Sequence, residues 1–236
     1  MLDFGGLVYL DVQKTGSTFI TGFLRAACRL PERHYHQHGR IRDGYRAEAV
    51  HVISVRDPLR QYLSLYRYGL DGRGGLWHRL NRLKVAGLYT DSQAGFQRFL
   101  SLMLDADLAE SLAEDFPQTA RKFDIGFLTH RHLMLALHKP LATLRSIDRD
   151  DLASAYRKRR IWTDRLRQEH LTDDLRALVA RYPDLLDAEA AETFLSAAPA
   201  INRSASGSTL TTDIPPELRD LLHRKEALIH REFYPD

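Results

Sequence analysis

The chain has 236 residues, 44% of them hydrophobic and 28% charged, with a formal net charge of +3 and a sequence pI near 9.0. That length allows one domain with a sizeable core, and the composition is that of an ordinary globular protein. The weak positive balance suits anionic ligands and does not argue for nucleic acid. No run approaches the roughly 18 apolar residues of a spanning helix. A lone Cys28 excludes an intrachain disulfide and fits a reducing compartment. The first residues, Met-Leu-Asp-Phe-Gly-Gly, lack the basic region of a secretory leader. A cytoplasmic protein is therefore expected, with a trimmed lumenal domain as the alternative, since Asn202-Arg-Ser204 matches a glycosylation acceptor.

Taken in order, Leu7 to Val12 is apolar and β-prone, as a buried strand should be. Lys14, Thr15, Gly16, Ser17 and Thr18 then put a cation, hydroxyls and a flexible backbone into five positions. From Phe19 apolar residues recur at helical spacing to about Cys28. A strand, a loop and a helix start of this kind form an anion site, because the first N–H groups of a helix lack internal acceptors. An ordinary loop with a Ser or Thr cap is the plain alternative. The order differs from the ATPase loop, in which Lys follows the last Gly.

Arg33-His-Tyr-His-Gln-His38-Gly39 alternates, and a short strand there would put His34, His36 and His38 on one face. Ala49 to Val55 reads as a central strand, followed by a helix opened by Pro58. Residues 69–92 form a glycine-rich, basic segment around Trp77, Arg73, Arg79, Arg82 and Lys84, expected as a mobile loop with short helical pieces. Gln93 to Leu108 predicts an amphipathic helix, Phe123 to Thr129 a strand, and His130 to Leu137 a helix. Residues 142–182 predict a helical segment, and Pro215 to Glu232 a final helix. Strands alternating with helices imply a parallel sheet covered on both faces.

Lys14-Thr-Gly-Ser-Thr18 after a strand resembles the 5′-phosphosulfate loop of sulfotransferases that use 3′-phosphoadenosine 5′-phosphosulfate (PAPS). A second segment, Val52-Ile-Ser-Val-Arg-Asp-Pro-Leu-Arg-Gln-Tyr-Leu-Ser-Leu-Tyr66, resembles the strand that ends in Arg-Asp-Pro in the same family. There the Arg, and a Ser eight residues later on the next helix, contact the donor's 3′-phosphate; Arg56 and Ser64 stand at that spacing. The likeness implies a single domain over 1–236 with the P-loop-like sulfotransferase fold, a parallel sheet with helices on both faces. It implies PAPS as donor and 3′,5′-bisphosphoadenosine (PAP) as product, without a metal. Donor contacts would fall to Lys14, Thr15, Gly16, Ser17, Thr18, Arg56 and Ser64. Arg203 and Ser204 join them because family members carry Asn-x-Ser near that place, where a linker is the alternative. In the family the segment around Ile125-Gly126 often reads Asp-x-Ile-Gly-x-x-Glu-x, and His130 stands where its Glu would be expected, so no role of that Glu carries over.

Sulfuryl transfer needs a donor cradle, charge on the leaving phosphate and a base for the acceptor hydroxyl. Lys14 would meet the charge that develops in transfer. His36-Gln-His38 resembles the His-x-His of uronyl 2-O-sulfotransferases, which implies His38 as base with His36 in support. Structural or surface histidines, or a metal site, are the alternatives; the cluster lacks Cys, Asp or Glu at ligand spacing. The expected acceptor bears a hydroxyl, as a sugar or an acidic glycan does, with no nucleic acid or membrane span. A P-loop small-molecule kinase and a non-catalytic nucleotide-binding protein are the other readings.

Overall fold

The computed structural model describes residues 1–41, 44–82, 87–105, 112, 115–197 and 209–235. The chain divides into two compact units. One comprises Met1–Arg56, Leu133–Arg145 and Ala155–Arg203; the other comprises Asp57–His132, Ser146–Ser154 and Ser204–Asp236.

The first unit is built on a five-stranded sheet. Its strands are β1 (Leu2–Asp3), β2 (Leu7–Leu10), β3 (His34–Tyr35), β4 (Val50–Val55) and β5 (Asp164–Arg167), in the order β3-β1-β2-β4-β5. β2 and β4 run parallel with Leu7 beside Val50 and Leu10 beside Ile53, and β4 and β5 run parallel from Val52–Asp164 to Val55–Arg167. β1 is antiparallel to both β2 and β3. The architecture is thus α/β, but the sheet is mixed where the sequence predicts a parallel one. Antiparallel neighbours need only a tight turn. Phe4-Gly5-Gly6 supplies it, with Gly5 at φ 89° and its N–H donated to Asp3 Oδ1 at 2.7 Å.

Helices α1 (Ser17–Ala27), α9 (Leu171–Arg181) and α10 (Ala188–Ala197) bury their apolar stripes against one face of this sheet. Ile20, Phe23 and Leu24 of α1 meet Leu7, Tyr9, Val52 and Leu166, and Phe194 packs edge-on against Phe19 and Phe23. The alternate residues Val8, Leu10, Ile53 and Val55 are buried as well. That double burial explains the continuous apolar runs of β2 and β4.

Three expectations fail here. The histidine strand ends at Tyr35 and His38 adopts a left-handed φ of 53°, so the three histidines do not share a strand face. Residues 142–182 are not one helical segment. They contain α7 (Pro140–Ser146), α8 (Leu152–Arg159), β5 and α9. β5 is an edge strand whose sequence, Asp-Arg-Leu-Arg, hides its buried alternation of Asp164 and Leu166 under charge. A strand over Phe123 to Thr129 is replaced by the junction of two helices, α5 (Phe116–Phe123) and α6 (Phe127–Ala136), and the junction lies in the second unit. Asp124 is left-handed there, at φ 56° and ψ 44°, and ends α5.

The rest of the second unit is helical: α2 (Pro58–Leu70), α3 (Gly75–Arg82), α4 (Gln93–Leu104), α11 (Pro216–Lys225) and α12 (Ala227–Phe233). Tyr66, Tyr89, Phe96 and Phe99 form one aromatic cluster under α2 and α4. The final helix breaks at Glu226. Its buried carboxylate accepts from Tyr62 Oη (2.5 Å), Thr129 Oγ1 (2.6 Å), Thr129 N (2.7 Å) and Leu128 N (3.3 Å). It therefore caps the first turn of α6 from a distant part of the sequence. Burial pushes this carboxyl up to about 7 even though all four donors favour its ionised form. Within 69–92, α3 accounts for the helical piece; Lys84 lies outside the described residues. Among the described residues no helix is long and apolar enough to cross a membrane.

Candidate functional site

The site forms where β2 runs into α1. The loop turns by two left-handed residues, Lys14 at φ 63° and Gly16 at φ 87°. Gly16 occupies the cap position of α1, and a Cβ added there would also lie 3.1 Å from Leu171 Cδ2. Only glycine meets both demands cheaply. The first intrahelical bond runs from Ile20 N to Gly16 O at 3.1 Å, so the N–H groups of Ser17, Thr18 and Phe19 precede it. No acidic residue stands in the first turn of α1. Amide donors and the helix dipole meet at this end of α1, which suits a phosphate-like anion, and Lys14 belongs to the loop that leads into it.

Below the loop lies a chain of buried hydroxyls that carries it on the sheet. Thr15 Oγ1 donates to Val12 O at 2.7 Å and lies 2.5 Å from Ser54 Oγ, which lies 2.7 Å from Tyr9 Oη. Each hydroxyl has one proton. Because Thr15 spends its proton on Val12, Ser54 donates to Thr15 and Tyr9 donates to Ser54. Burial holds the Tyr9 hydroxyl well above its ordinary pKa, so it remains a donor. The Thr15 side chain is thus structural, and only its backbone faces the anion question. Ser17 is nearly buried and Thr18 exposed.

Arg56 follows the carboxyl end of β4, next to that of β2, and its Nη1 donates to Lys14 O at 3.2 Å. The two segments singled out in the sequence are therefore in direct contact. Asp57, next in the chain, caps α2 by accepting from Arg60 N at 2.8 Å, and Pro58 fills the first turn. The Arg-Asp-Pro string thus combines a side chain at the loop with a helix start. Ser64 is half-buried on α2, in the second unit. Arg203 and Ser204 lie outside the described residues.

His38 belongs to the same loop cluster. Its backbone N–H donates to Asp11 Oδ2 at 3.2 Å, and its Nδ1 lies 3.0 Å from Asp11 Oδ1 and 3.3 Å from Asp11 O. The His38 side chain is 28% exposed, while that of Asp11 is fully buried. Burial raises the Asp11 carboxyl, but hydrogen bonds and charge from His38 outweigh it and hold the group below its ordinary value. His36 is exposed, and its ring lies against Gly39, where a Cβ would come within 2.5 Å of Nδ1. Asp11, rather than His36, stands against the His38 ring. His130 is buried in the second unit, and that burial lowers its pKa to about 4. No group of three or more His, Cys, Asp or Glu side chains suited to a metal occurs among the described residues.

No family model, curated protein or solved structure matches the chain.

Asp11, Ser54 and Tyr9 belong to the site although no motif marks them. Each left a signal: a carboxylate and two hydroxyls inside apolar strand runs, which have to find partners when buried.

Proposed function

We propose that the chain is a PAPS-dependent sulfotransferase that moves a sulfuryl group to a hydroxyl acceptor, with carbohydrates or glycans as the acceptor class. The observation that carries this reading is the 3.2 Å bond from Arg56 to the Lys14 carbonyl. It joins a helix-start anion cradle to a guanidinium at the carboxyl edge of the parallel strands, where α/β sheets take their ligands. Two anion-binding elements side by side fit a nucleotide phosphorylated at both its 5′ and 3′ positions.

The donor residues fit such a ligand. Backbone N–H groups from Gly16 to Thr18, with the Ser17 and Thr18 hydroxyls, would hold the 5′-phosphate, and Arg56 the 3′-phosphate. When bound, the donor supplies an activated sulfuryl group on a phosphosulfate bridge. Lys14 brings a positive charge to the position where the leaving phosphate gains negative charge. Arg56 binds a phosphate that does not react, so it contributes binding rather than rate. His38 accepts the proton of the acceptor hydroxyl. Charge-assisted hydrogen bonds contribute roughly 1.5–3 kcal/mol each, enough for these few contacts to give micromolar binding.

Incubation of the protein with labelled PAPS and panels of glycan, lipid and phenol acceptors tests the reading. Label transferred to a carbohydrate hydroxyl supports it. Thermal stabilisation by ATP or GTP but not by PAP, with no label transferred, would instead favour a kinase.

A further inference from the structure

We infer that Asp11 is the positioning residue for His38, fixing the ring with its proton on Nδ1 so that Nε2 carries the basic lone pair. The inference deepens the sulfotransferase reading and rests on it for the source of the proton that Nε2 takes.

The geometry leaves little choice of tautomer. Nδ1 faces two oxygens of the same residue, Oδ1 at 3.0 Å and the carbonyl at 3.3 Å, and both can only accept. An unprotonated Nδ1 would set its lone pair against two others. The second carboxylate oxygen receives the His38 backbone N–H at 3.2 Å, so Asp11 grips the residue by both main chain and ring. His38 reaches this position through a left-handed backbone, φ 53°, a conformation that costs a non-glycine residue free energy. The bonds to Asp11 are what can offset that cost.

Asp11 is fully buried and lies three positions before Lys14 in the same loop. A carboxylate buried at the edge of an anion site is unfavourable unless it is partnered. A carboxylate behind a histidine, with the far ring nitrogen as base, is the arrangement by which hydrolases orient and charge-stabilise an imidazole. Here Nε2 would take the hydroxyl proton as the acceptor oxygen bonds to sulfur and the sulfur–oxygen bond to the leaving phosphate breaks. The imidazolium formed is then paired with Asp11.

The test uses the full chain, with its histidines labelled by ¹⁵N and its aspartate carboxyl carbons by ¹³C, as wild type, Asp11→Asn and His38→Gln; the last assigns the His38 signals. At a pH where the ring is neutral, the wild type should show His38 protonated on Nδ1. In Asp11→Asn, whose amide can donate to Nδ1, the proton should move to Nε2. The carboxyl carbon of Asp11 should titrate at higher pH in His38→Gln than in the wild type. With a competent acceptor, Asp11→Asn should lose on the order of 10²–10⁴-fold in kcat, with little change in stabilisation by PAP. A wild-type ring protonated on Nε2, or a tautomer and kcat indifferent to Asp11→Asn, overturns the inference. If the wild type transfers no sulfuryl group to any acceptor while the tautomer switches as stated, the sulfotransferase reading fails and the positioning of His38 by Asp11 stands.

Discussion

Ser54→Ala isolates the support beneath the loop. Ser54 and Tyr9 are fully buried, and Ser54 is the middle of the chain Tyr9–Ser54–Thr15–Val12. Alanine keeps the volume almost unchanged, so the loss is polar. Thr15 retains its acceptor at Val12, whereas the Tyr9 hydroxyl loses its acceptor inside the core. A buried donor left without a partner costs about 1–3 kcal/mol, which for a chain of this size lowers Tm by roughly 2–10 °C. The diagnostic variant is the double one. Tyr9→Phe added to Ser54→Ala removes the stranded donor, and most of the lost stability should return. Urea unfolding of wild type, both single variants and the double variant gives the coupling energy directly. Two single losses that simply add would show that the hydroxyls do not form one chain.

Other expectations are separable in the same way. Lys14→Ala should lower kcat more than it raises KM for PAPS, while Arg56→Ala should chiefly raise KM; identical defects in steady-state kinetics would count against separate roles. Gly16→Ala should destabilise by about 1–2 kcal/mol from its left-handed φ, and PAP should stabilise it less than the wild type in thermal melts. Burial raises the Glu226 carboxyl from 4.5 in the unfolded chain to about 7 in the folded one. The stability that its protonated form contributes is thus complete below pH 4.5 and is lost as pH rises through about 7, by about 1.4 kcal/mol for each pH unit in between. Melts from pH 4.5 to 8 should show this fall in the wild type and not in Glu226→Gln.

The sequence made the junctions at Lys14 and Arg56 legible because strong local signals agree there. Continuous apolar runs mark strands buried on both faces, and Asp57-Pro58 marks a helix start by capping chemistry that needs no tertiary information. The failures share a cause, in that the deciding interactions are distant in sequence. Glu226 caps α6 from 97 residues away and so converts an apparent strand into a helix start. β5 pairs with β4 across more than a hundred positions and buries only alternate residues. Asp11 reads as a break in an apolar run until His38, 27 positions on, is seen against it.

Calorimetric titration of the full chain with PAP and with adenosine 5′-monophosphate separates the contributions of the two phosphates. If Arg56 and the Lys14 loop each hold a phosphate, removing the 3′-phosphate should weaken binding roughly 10- to 100-fold, the worth of one charged hydrogen-bonding group. Arg56→Ala should abolish that difference while leaving adenosine 5′-monophosphate affinity nearly unchanged. Equal affinity of the wild type for the two nucleotides would contradict the account.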